Sequence, residues 1–329
     1  MGHAASVKIV KATTYPSVVL EECYCPLGCA PSDERILIGR DRLHGLPGEF
    51  TVVRCRGCGL MRTNPRPTAE TIGFYYPENY GPYVVTMVSP DKNLRFRALK
   101  DRARELLRLN VNALPSLPVG RMLEIGCASG AFLHEMAEKG WDVQGIEFSQ
   151  AAADRSRKLG YPVHEGQIET APAPGEPFDL VVGWMVLEHL HNPVQALRKI
   201  NAWTRTGGWL ALSVPNIGSY QFALFGDAWF PLQLPNHLFH FTRDSLARVL
   251  KAGGWKVERI LYHRDLSHLV ASLGHKLQDT QFPPRYADKI ARFPDWQGKL
   301  LLPLYPLSSL FALLKQSSAM TVWARREHD

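Results

Sequence analysis

The chain has 329 residues, of which 45% are hydrophobic, so it can bury one large α/β core and still carry a small additional unit. Its formal net charge is +7, but lysine and arginine are spread along the whole length, so no single block marks an anion-binding surface. An uninterrupted apolar run of about 18 residues and the pattern of a secretory signal are both lacking, so we expect a cytoplasmic protein without a membrane span.

Five of the six cysteines lie before residue 60, at positions Cys23, Cys25, Cys29, Cys55 and Cys58. In a cytoplasmic chain such clustering indicates a metal site and not disulfides. The pairs Cys25-x3-Cys29 and Cys55-x2-Cys58 can close a tetrahedron of thiolates around zinc. We therefore expect a zinc ribbon over residues 20–67, with a structural metal because four protein ligands leave no open position. Cys23 stays available as a substitute for Cys25 or Cys29.

A connecting region follows over residues 68–118. It contains a tyrosine-rich stretch and then a basic segment with helical periodicity over 94–109. We expect this region to form a linker and lid helices.

Strand and helix patterns alternate after Gly120, which predicts a parallel sheet with helices on both faces. The predicted strands are 121–125, 142–147, 161–164, 178–184, 209–214, 256–262 and 319–325. Helix caps are expected at Ser149, Asn192 and Thr242. The fold class is thus α/β, a doubly wound, mostly parallel seven-stranded sheet. Its core covers 119–262, and residues 263–329 form a helical cap, with an apolar segment at 299–315, followed by the last strand.

The first core strand ends in an E-x-G-x-x-x-G turn formed by Glu124, Gly126 and Gly130. Such a tight backbone at the end of a central strand lets a nucleoside-bearing ligand lie against it. A dinucleotide fingerprint would need glycine at 128 and 131, where this chain has alanine. Glu147 closes the second strand, 21 residues after Gly126, where a carboxylate can accept hydrogen bonds from both ribose hydroxyls.

These residues resemble the cofactor motifs of class I S-adenosylmethionine-dependent methyltransferases, over about 119–262. The resemblance implies a Rossmann-like core in which Glu124 engages the methionine portion, Glu147 the ribose and Phe148 the adenine. The segment after the third strand would reach the adenine amine, and the loop after the fourth would pass beneath the sulfonium. The cofactor contacts expected are Glu124, Gly126, Cys127, Ala128, Gly130, Phe132, Glu147, Phe148, Gln167, Ile168, Trp184 and Met185.

The N-terminal segment 53–67 resembles the zinc-binding region of a subset of bacterial small-molecule methyltransferases. The first cysteine pair departs from that pattern, because the subset has C-x2-C where this chain has Cys25-x3-Cys29.

Two further segments, 186–190 and 236–241, resemble those of small-molecule O-methyltransferases, including enzymes of quinone biosynthesis. They place His189, His237 and His240 as candidate general bases for a hydroxyl acceptor. The resemblance implies methyl transfer from S-adenosylmethionine to a small molecule (a natural product, a sugar or a quinone-like compound), and it favours oxygen as the methylated atom. An apolar, lipid-linked acceptor is compatible with the aromatic insertion at 215–241.

Two alternatives remain open from the sequence. Basic residues in 94–109 would suit an RNA methyltransferase. However, the fourth strand ends in Gly183-Trp184-Met185 and lacks the Asn/Asp-Pro-Pro-aromatic turn that grips an exocyclic amine, so we expect no nucleic acid partner. A partner subunit that binds the cofactor without transferring the methyl group would show the same turn and ribose acid. The sequence does not specify the oligomeric state.

Overall fold

The computed structural model describes residues 17–77, 112–296 and 303–327. The basic segment predicted at 94–109 lies outside these residues, as does part of the apolar segment 299–315.

The N-terminal unit is built from short antiparallel strands. They are β1 (Leu20–Glu21), β2 (Asp33–Arg40), β3 (Glu49–Cys55), β4 (Met61–Thr63) and β5 (Arg66–Pro67). Strand β3 pairs with β2 on one side and with β4 on the other, and β1 pairs with β5. A 3-10 helix, Ile72–Tyr75, follows the unit.

The core strands continue the chain order. They are β6 (Arg121–Ile125), β7 (Asp142–Glu147), β8 (Val163–Glu165), β9 (Phe178–Trp184), β10 (Thr204–Pro215), β11 (Phe239–His240), β12 (Trp255–Tyr262) and β13 (Ala319–Arg326). Among the described residues, seven of them form one sheet in the order β12-β13-β10-β9-β6-β7-β8. Only β13 runs antiparallel to its neighbours. This confirms the predicted seven-stranded, mostly parallel, Rossmann-like sheet.

The helices of the described residues lie between and after these strands. They are α1 (Ala131–Glu138), α2 (Gln150–Lys158), α3 (Pro193–Trp203), α4 (Tyr220–Phe225), α5 (Arg243–Ala252), α6 (Ser267–Gln278), α7 (Pro284–Ala291), α8 (Phe293–Trp296) and α9 (Tyr305–Leu313). Helices α6 to α9 form the expected insertion before the last strand. Within the described ranges, none of these helices has the length and apolarity needed to cross a membrane.

Alternate residues of the central strands enter two different hydrophobic clusters, as the period of two of a strand requires. On β6, Met122 packs with the cluster beneath α1, whereas Leu123 packs with the cluster beneath α3 and α5. The pairing of Ile125 with Ile146 and with Gly183 aligns the carboxyl ends of β6, β7 and β9. The candidate site lies at this edge of the sheet.

Three local details differ from the sequence predictions. Strand β8 begins at Val163 because Pro162 has no N–H to donate to the ladder. Strand β10 begins at Thr204, five residues earlier than predicted, and a register shift before Trp209 absorbs the intervening residues. Asn192 occupies the N-cap position of α3, but its side chain makes no capping hydrogen bond. Ser149 and Thr242 do cap their helices through their side chains.

The N-terminal unit and the core share a second sheet, of order β11-β4-β3-β2. Its edge strand β11 comes from the aromatic insertion at 215–241, and Phe239 pairs with Arg62 while His240 pairs with Met61. The ribbon is therefore joined to the core by backbone hydrogen bonds and not only by a linker.

A buried guanidinium makes a second connection. The Arg42 side chain, only 8% exposed, follows β2 and donates from Nη2 to Asp227 (2.5 Å) and to Asp279 (2.9 Å). Asp227 belongs to the insertion, and Asp279 directly follows α6. One cation therefore ties three separate parts of the chain together.

Replacing Arg42 should destabilise the protein measurably. We expect Arg42→Met to lower the free energy of unfolding by about 2 kcal/mol in urea denaturation, because two carboxylates lose their charged donor. Arg40→Met is the matched control: Arg40 is 61% exposed and contacts Asp279 at 3.1 Å, so its loss should cost less than about 0.5 kcal/mol. Equal losses of unfolding free energy in the two variants would show that the buried ion pairs of Arg42 do not stabilise the fold.

Candidate active site

The turn after β6 has little room for larger residues. Gly126 has φ of +69°, and a Cβ there would lie 2.6 Å from Val186 Cγ2. Gly130 has φ of +80°, and a Cβ would lie 2.7 Å from Ser156 Oγ, which itself donates to Ala128 O. Both positions therefore need glycine, as the motif predicts.

Glu147 faces this turn from the end of β7. Its Oε2 accepts from Ala128 N and its Oε1 from Ser149 N, both at 2.8 Å. Burial raises the pKa of Glu147, and these backbone N–H groups act in the opposite direction. Each carboxylate oxygen keeps a further lone pair, so the side chain can still accept from a ligand hydroxyl at the cavity wall.

Two buried polar atoms beside the turn have no hydrogen-bond partner among the described residues. They are Glu124 Oε2 and Trp184 Nε1. Burial, together with the charge of Glu147, raises the pKa of Glu124 well above its usual value. Since buried polar groups are almost always satisfied, an acceptor and a donor left open here fit a polar ligand held against the turn.

A cavity of about 340 Å³ opens beside these groups, a size typical of small-molecule sites. Eight of the expected cofactor residues line it: Gly126, Ala128, Glu147, Phe148, Gln167, Ile168, Trp184 and Met185. The other four, Glu124, Cys127, Gly130 and Phe132, lie behind this lining.

Two of these four residues, Cys127 and Phe132, pack behind the cavity wall. Cys127 is buried, and its Sγ would lie 2.6 Å from a Cβ at Gly145, so it fills space as a packing residue. The Phe132 ring contacts the edge of the Trp184 ring, with centroids 5.2 Å apart. Phe148, by contrast, lines the cavity and is 47% exposed, so its ring offers a flat surface on which a nucleobase can stack.

His189 and His237 line the other half of the same cavity. His189 Nδ1 lies 2.9 Å from the Asn236 carbonyl oxygen, and His237 Nδ1 lies 2.8 Å from that of Pro231. A carbonyl only accepts, so each Nδ1 carries the proton and each Nε2 keeps its lone pair. The two rings meet edge to face, with centroids 4.6 Å apart.

Burial keeps this half of the cavity uncharged. It lowers the pKa of His189 to about 4 and that of His237 well below its usual range. It raises the pKa of Glu188 to about 8, and neither carboxyl oxygen of Glu188 has a hydrogen-bond partner among the described residues. One polar atom from each of the three side chains lies within 4.8 Å of the others. Burial therefore favours neutral imidazoles and a protonated carboxyl in this cluster.

The structure places His240 apart from the other two histidines. Its Nε2 lies 3.2 Å from Thr63 Oγ1, and its side chain is buried outside the cavity lining. Sequence proximity to His237 could not reveal this, because His240 lies in strand β11 whereas His237 lies in the irregular backbone before it.

Sequence reasoning missed several side chains of this half. Tyr76 lies in the predicted linker, and its hydroxyl is 2.8 Å from His189 Nδ1. His268, at the start of α6, and Gln233 also line the cavity. Of these residues, only Glu188 could have been identified from the sequence, since it precedes His189 in the segment 186–190.

The N-terminal unit holds both histidine segments in place. Thr63 Oγ1 donates to His237 O at 2.8 Å, and Thr63 N donates to Leu238 O at 2.9 Å. Arg66 Nη1 donates to His191 O at 2.9 Å, and the His191 ring in turn contacts Pro67 O. Thus β4 fixes the backbone at His237, and β5 fixes the backbone at His191, two residues after His189.

The four expected metal ligands converge at one end of this unit. The Sγ atoms of Cys25, Cys29, Cys55 and Cys58 all lie within 4.8 Å of one another, and those of Cys25 and Cys58 are 3.5 Å apart. Zinc–sulfur bonds of about 2.3 Å in a tetrahedron require sulfurs about 3.8 Å apart. Cys23 lies outside the group, with its Sγ directed to Tyr24 O.

Glu147 offers a direct test of the cofactor half. We expect Glu147→Gln to weaken the binding of S-adenosylhomocysteine at least about tenfold in calorimetry, because an amide nitrogen cannot accept a hydrogen bond. Glu135→Gln, on the exposed face of α1, is the control and should leave the dissociation constant unchanged. An unaltered constant in Glu147→Gln would remove Glu147 from the cofactor site.

Comparisons with known proteins agree with this geometry. Residues 95–260 match a family described as a methyltransferase domain. The ubiquinone biosynthesis O-methyltransferase of Burkholderia thailandensis is 30% identical over 190 residues, which cover 53% of this chain and 81% of that protein. The enzyme of the same name from Pseudomonas aeruginosa is 29% identical over 187 residues, covering 54% and 78%.

Solved structures with similar folds include the cyclase SpnF, at 18% identity and a TM-score of 0.49, covering 80% of this chain and 98% of that one. An S-adenosylmethionine-dependent methyltransferase from Mesorhizobium loti has 16% identity and a TM-score of 0.44, covering 68% and 96%. Given the family match over residues 95–260, the strand order and the glycine turn with its paired acid, the chain belongs to the class I S-adenosylmethionine-dependent methyltransferases.

Proposed function

We propose that this protein transfers a methyl group from S-adenosylmethionine to a hydroxyl oxygen of a small, largely apolar acceptor. The observation that carries the proposal is the neutral His189, whose tautomer leaves Nε2 able to take a proton in the cavity that Glu147 and Trp184 also line. The names of the ubiquinone biosynthesis O-methyltransferases support oxygen as the methylated atom.

The names of the ubiquinone biosynthesis relatives favour a quinone-like ring over a sugar. Ile72, Leu190, Pro215 and Pro231 give the acceptor half apolar surface against which a flat ring can pack. Its polar side chains can bond the hydroxyls of the acceptor; they are Tyr76, Glu188, His189, His191, Gln233, His237 and His268.

Bound S-adenosylmethionine supplies an electrophilic methyl group, and the residues of the chain orient the acceptor and receive its proton. His189 Nε2 accepts the hydroxyl proton while Nδ1–H stays on the Asn236 carbonyl, which also stabilises the resulting imidazolium.

Removal of the base tests this role. We expect His189→Gln to lower kcat about 10²- to 10³-fold toward catechol and hydroquinone acceptors, measured by mass spectrometry of S-adenosylhomocysteine formation. Binding of S-adenosylhomocysteine should be unchanged, because His189 lies in the acceptor half. His134→Gln, on α1 away from the cavity, should keep the full rate.

The pH profile gives an independent readout of the same base. Because burial lowers the pKa of His189 to about 4, its neutral form persists as the pH falls, and kcat should stay level between pH 7.5 and 6. A base with the ordinary imidazole pKa would lose most of its activity over that range. Retention of kcat in His189→Gln, or no transfer to any phenolic acceptor, would argue against the proposal.

We further propose that Cys25, Cys29, Cys55 and Cys58 hold one structural zinc ion. The convergence of the four thiols supports this, as does the small size of the unit they close. Gly57 supports it too, since a Cβ there would lie 3.2 Å from Cys29 Sγ, so glycine lets the two cysteine loops approach.

Metal analysis distinguishes the ligands from the fifth nearby thiol. We expect about one zinc per chain in the purified protein by mass spectrometry, a clear loss of zinc and a lower melting temperature in Cys58→Ser, and full zinc in Cys23→Ser. A metal-free wild-type protein, or equal zinc loss in the two variants, would overturn this ligand assignment.

A further inference from the structure

Helix α9 exposes its apolar residues. Ser308 is its buried residue, whereas Leu307, Leu310 and Leu313 are 43%, 50% and 74% exposed, and the following Leu314 is 61% exposed. A helix on the surface of a water-soluble core normally buries its leucines and exposes its serines. An exposed apolar surface of this kind is typical of a site that binds an apolar partner.

The neighbouring helices α4 and α6 also expose apolar side chains. Tyr220 N at the start of α4 donates to Gln316 Oε1 at 2.7 Å, just beyond α9, and His268 of α6 bonds Ser318 Oγ at 2.9 Å. Helices α4 and α6 also contact each other. We call the exposed apolar residues of these three helices the leucine face: Tyr220, Leu224, Leu273, Leu307, Leu310, Leu313 and Leu314.

The leucine face carries cations and has no carboxylate on its own helices. Helices α4, α6 and α9 contain no aspartate or glutamate, while Lys276 on α6 and Lys315 after α9 are exposed. The flanking carboxylates are neutralised or held locally, because Asp227 and Asp279 bond Arg42 and Asp265 bonds Ser267. Exposed leucines with these cations complement an anionic lipid surface. A second copy of the chain would bring the same lysines toward each other, which disfavours self-pairing.

Helix α6 connects this face with the acceptor cavity. His268 lines the cavity and stacks on Phe230 at 5.5 Å, while Leu273 and Lys276 of the same helix are exposed. We propose that the leucine face binds the interfacial region of an anionic bilayer, with the acceptor half of the cavity next to the lipid. The uptake of an apolar acceptor from that lipid rests on the proposed function, whereas the binding itself does not.

Flotation with vesicles tests the proposal on the full-length protein. We expect binding to vesicles of equal parts phosphatidylcholine and phosphatidylglycerol, weaker binding to phosphatidylcholine alone, and release as salt is raised. The triple variant Leu310→Ser, Leu313→Ser, Leu314→Ser should lower the partition coefficient at least about tenfold. The control is Leu159→Ser, an exposed leucine at the end of α2 that should have no effect.

The variants must melt at the wild-type temperature, which is expected because the replaced side chains are exposed. Failure of the wild-type protein to float, or equal flotation of the triple variant, would overturn the proposal. Loss of a dimer in the triple variant by light scattering, without any vesicle effect, would assign the face to a second copy. The assay contains neither S-adenosylmethionine nor an acceptor, so its outcome is independent of methyl transfer.

Discussion

The acceptor half of the site depends on the pairing of β4 with β11. His189 ends a three-residue 3-10 helix and His237 lies in irregular backbone. Short segments of this kind keep one conformation only when their polar groups have fixed partners. Thr63 supplies them beside His237, and Arg66 does so beside His191. The N-terminal unit is thus part of the acceptor-site framework, and the proposed zinc would stabilise that framework from its far end.

The two halves of the cavity use buried polar groups in different ways. In the cofactor half, Glu147 is held by backbone donors, while Glu124 and Trp184 keep unpaired atoms that fit a polar ligand. In the acceptor half, burial leaves His189 uncharged, and a carbonyl selects its tautomer. In the proposed reaction, the same low-dielectric surroundings serve cofactor binding on one side and proton transfer on the other.

The sequence was most informative where the signal is local. Strands β6 and β7 agree with prediction residue for residue, because their boundaries are set by glycine turns within the same unit. The β4–β11 pairing joins positions about 180 residues apart and leaves no local pattern, so the ribbon was predicted as a separate domain. For the same reason the choice among the three histidines, and the presence of Tyr76 in the site, required the tertiary structure.

The position of β13 has a consequence for biosynthesis. This strand, the last in the described chain, lies between β10 and β12, and β12 has no other strand partner in the sheet. Until residues 319–326 leave the ribosome, β12 lacks its ladder and one edge of β10 is unpaired. The nascent chain therefore exposes an aggregation-prone edge of β10 from the synthesis of residue 215 until β13 begins at residue 319.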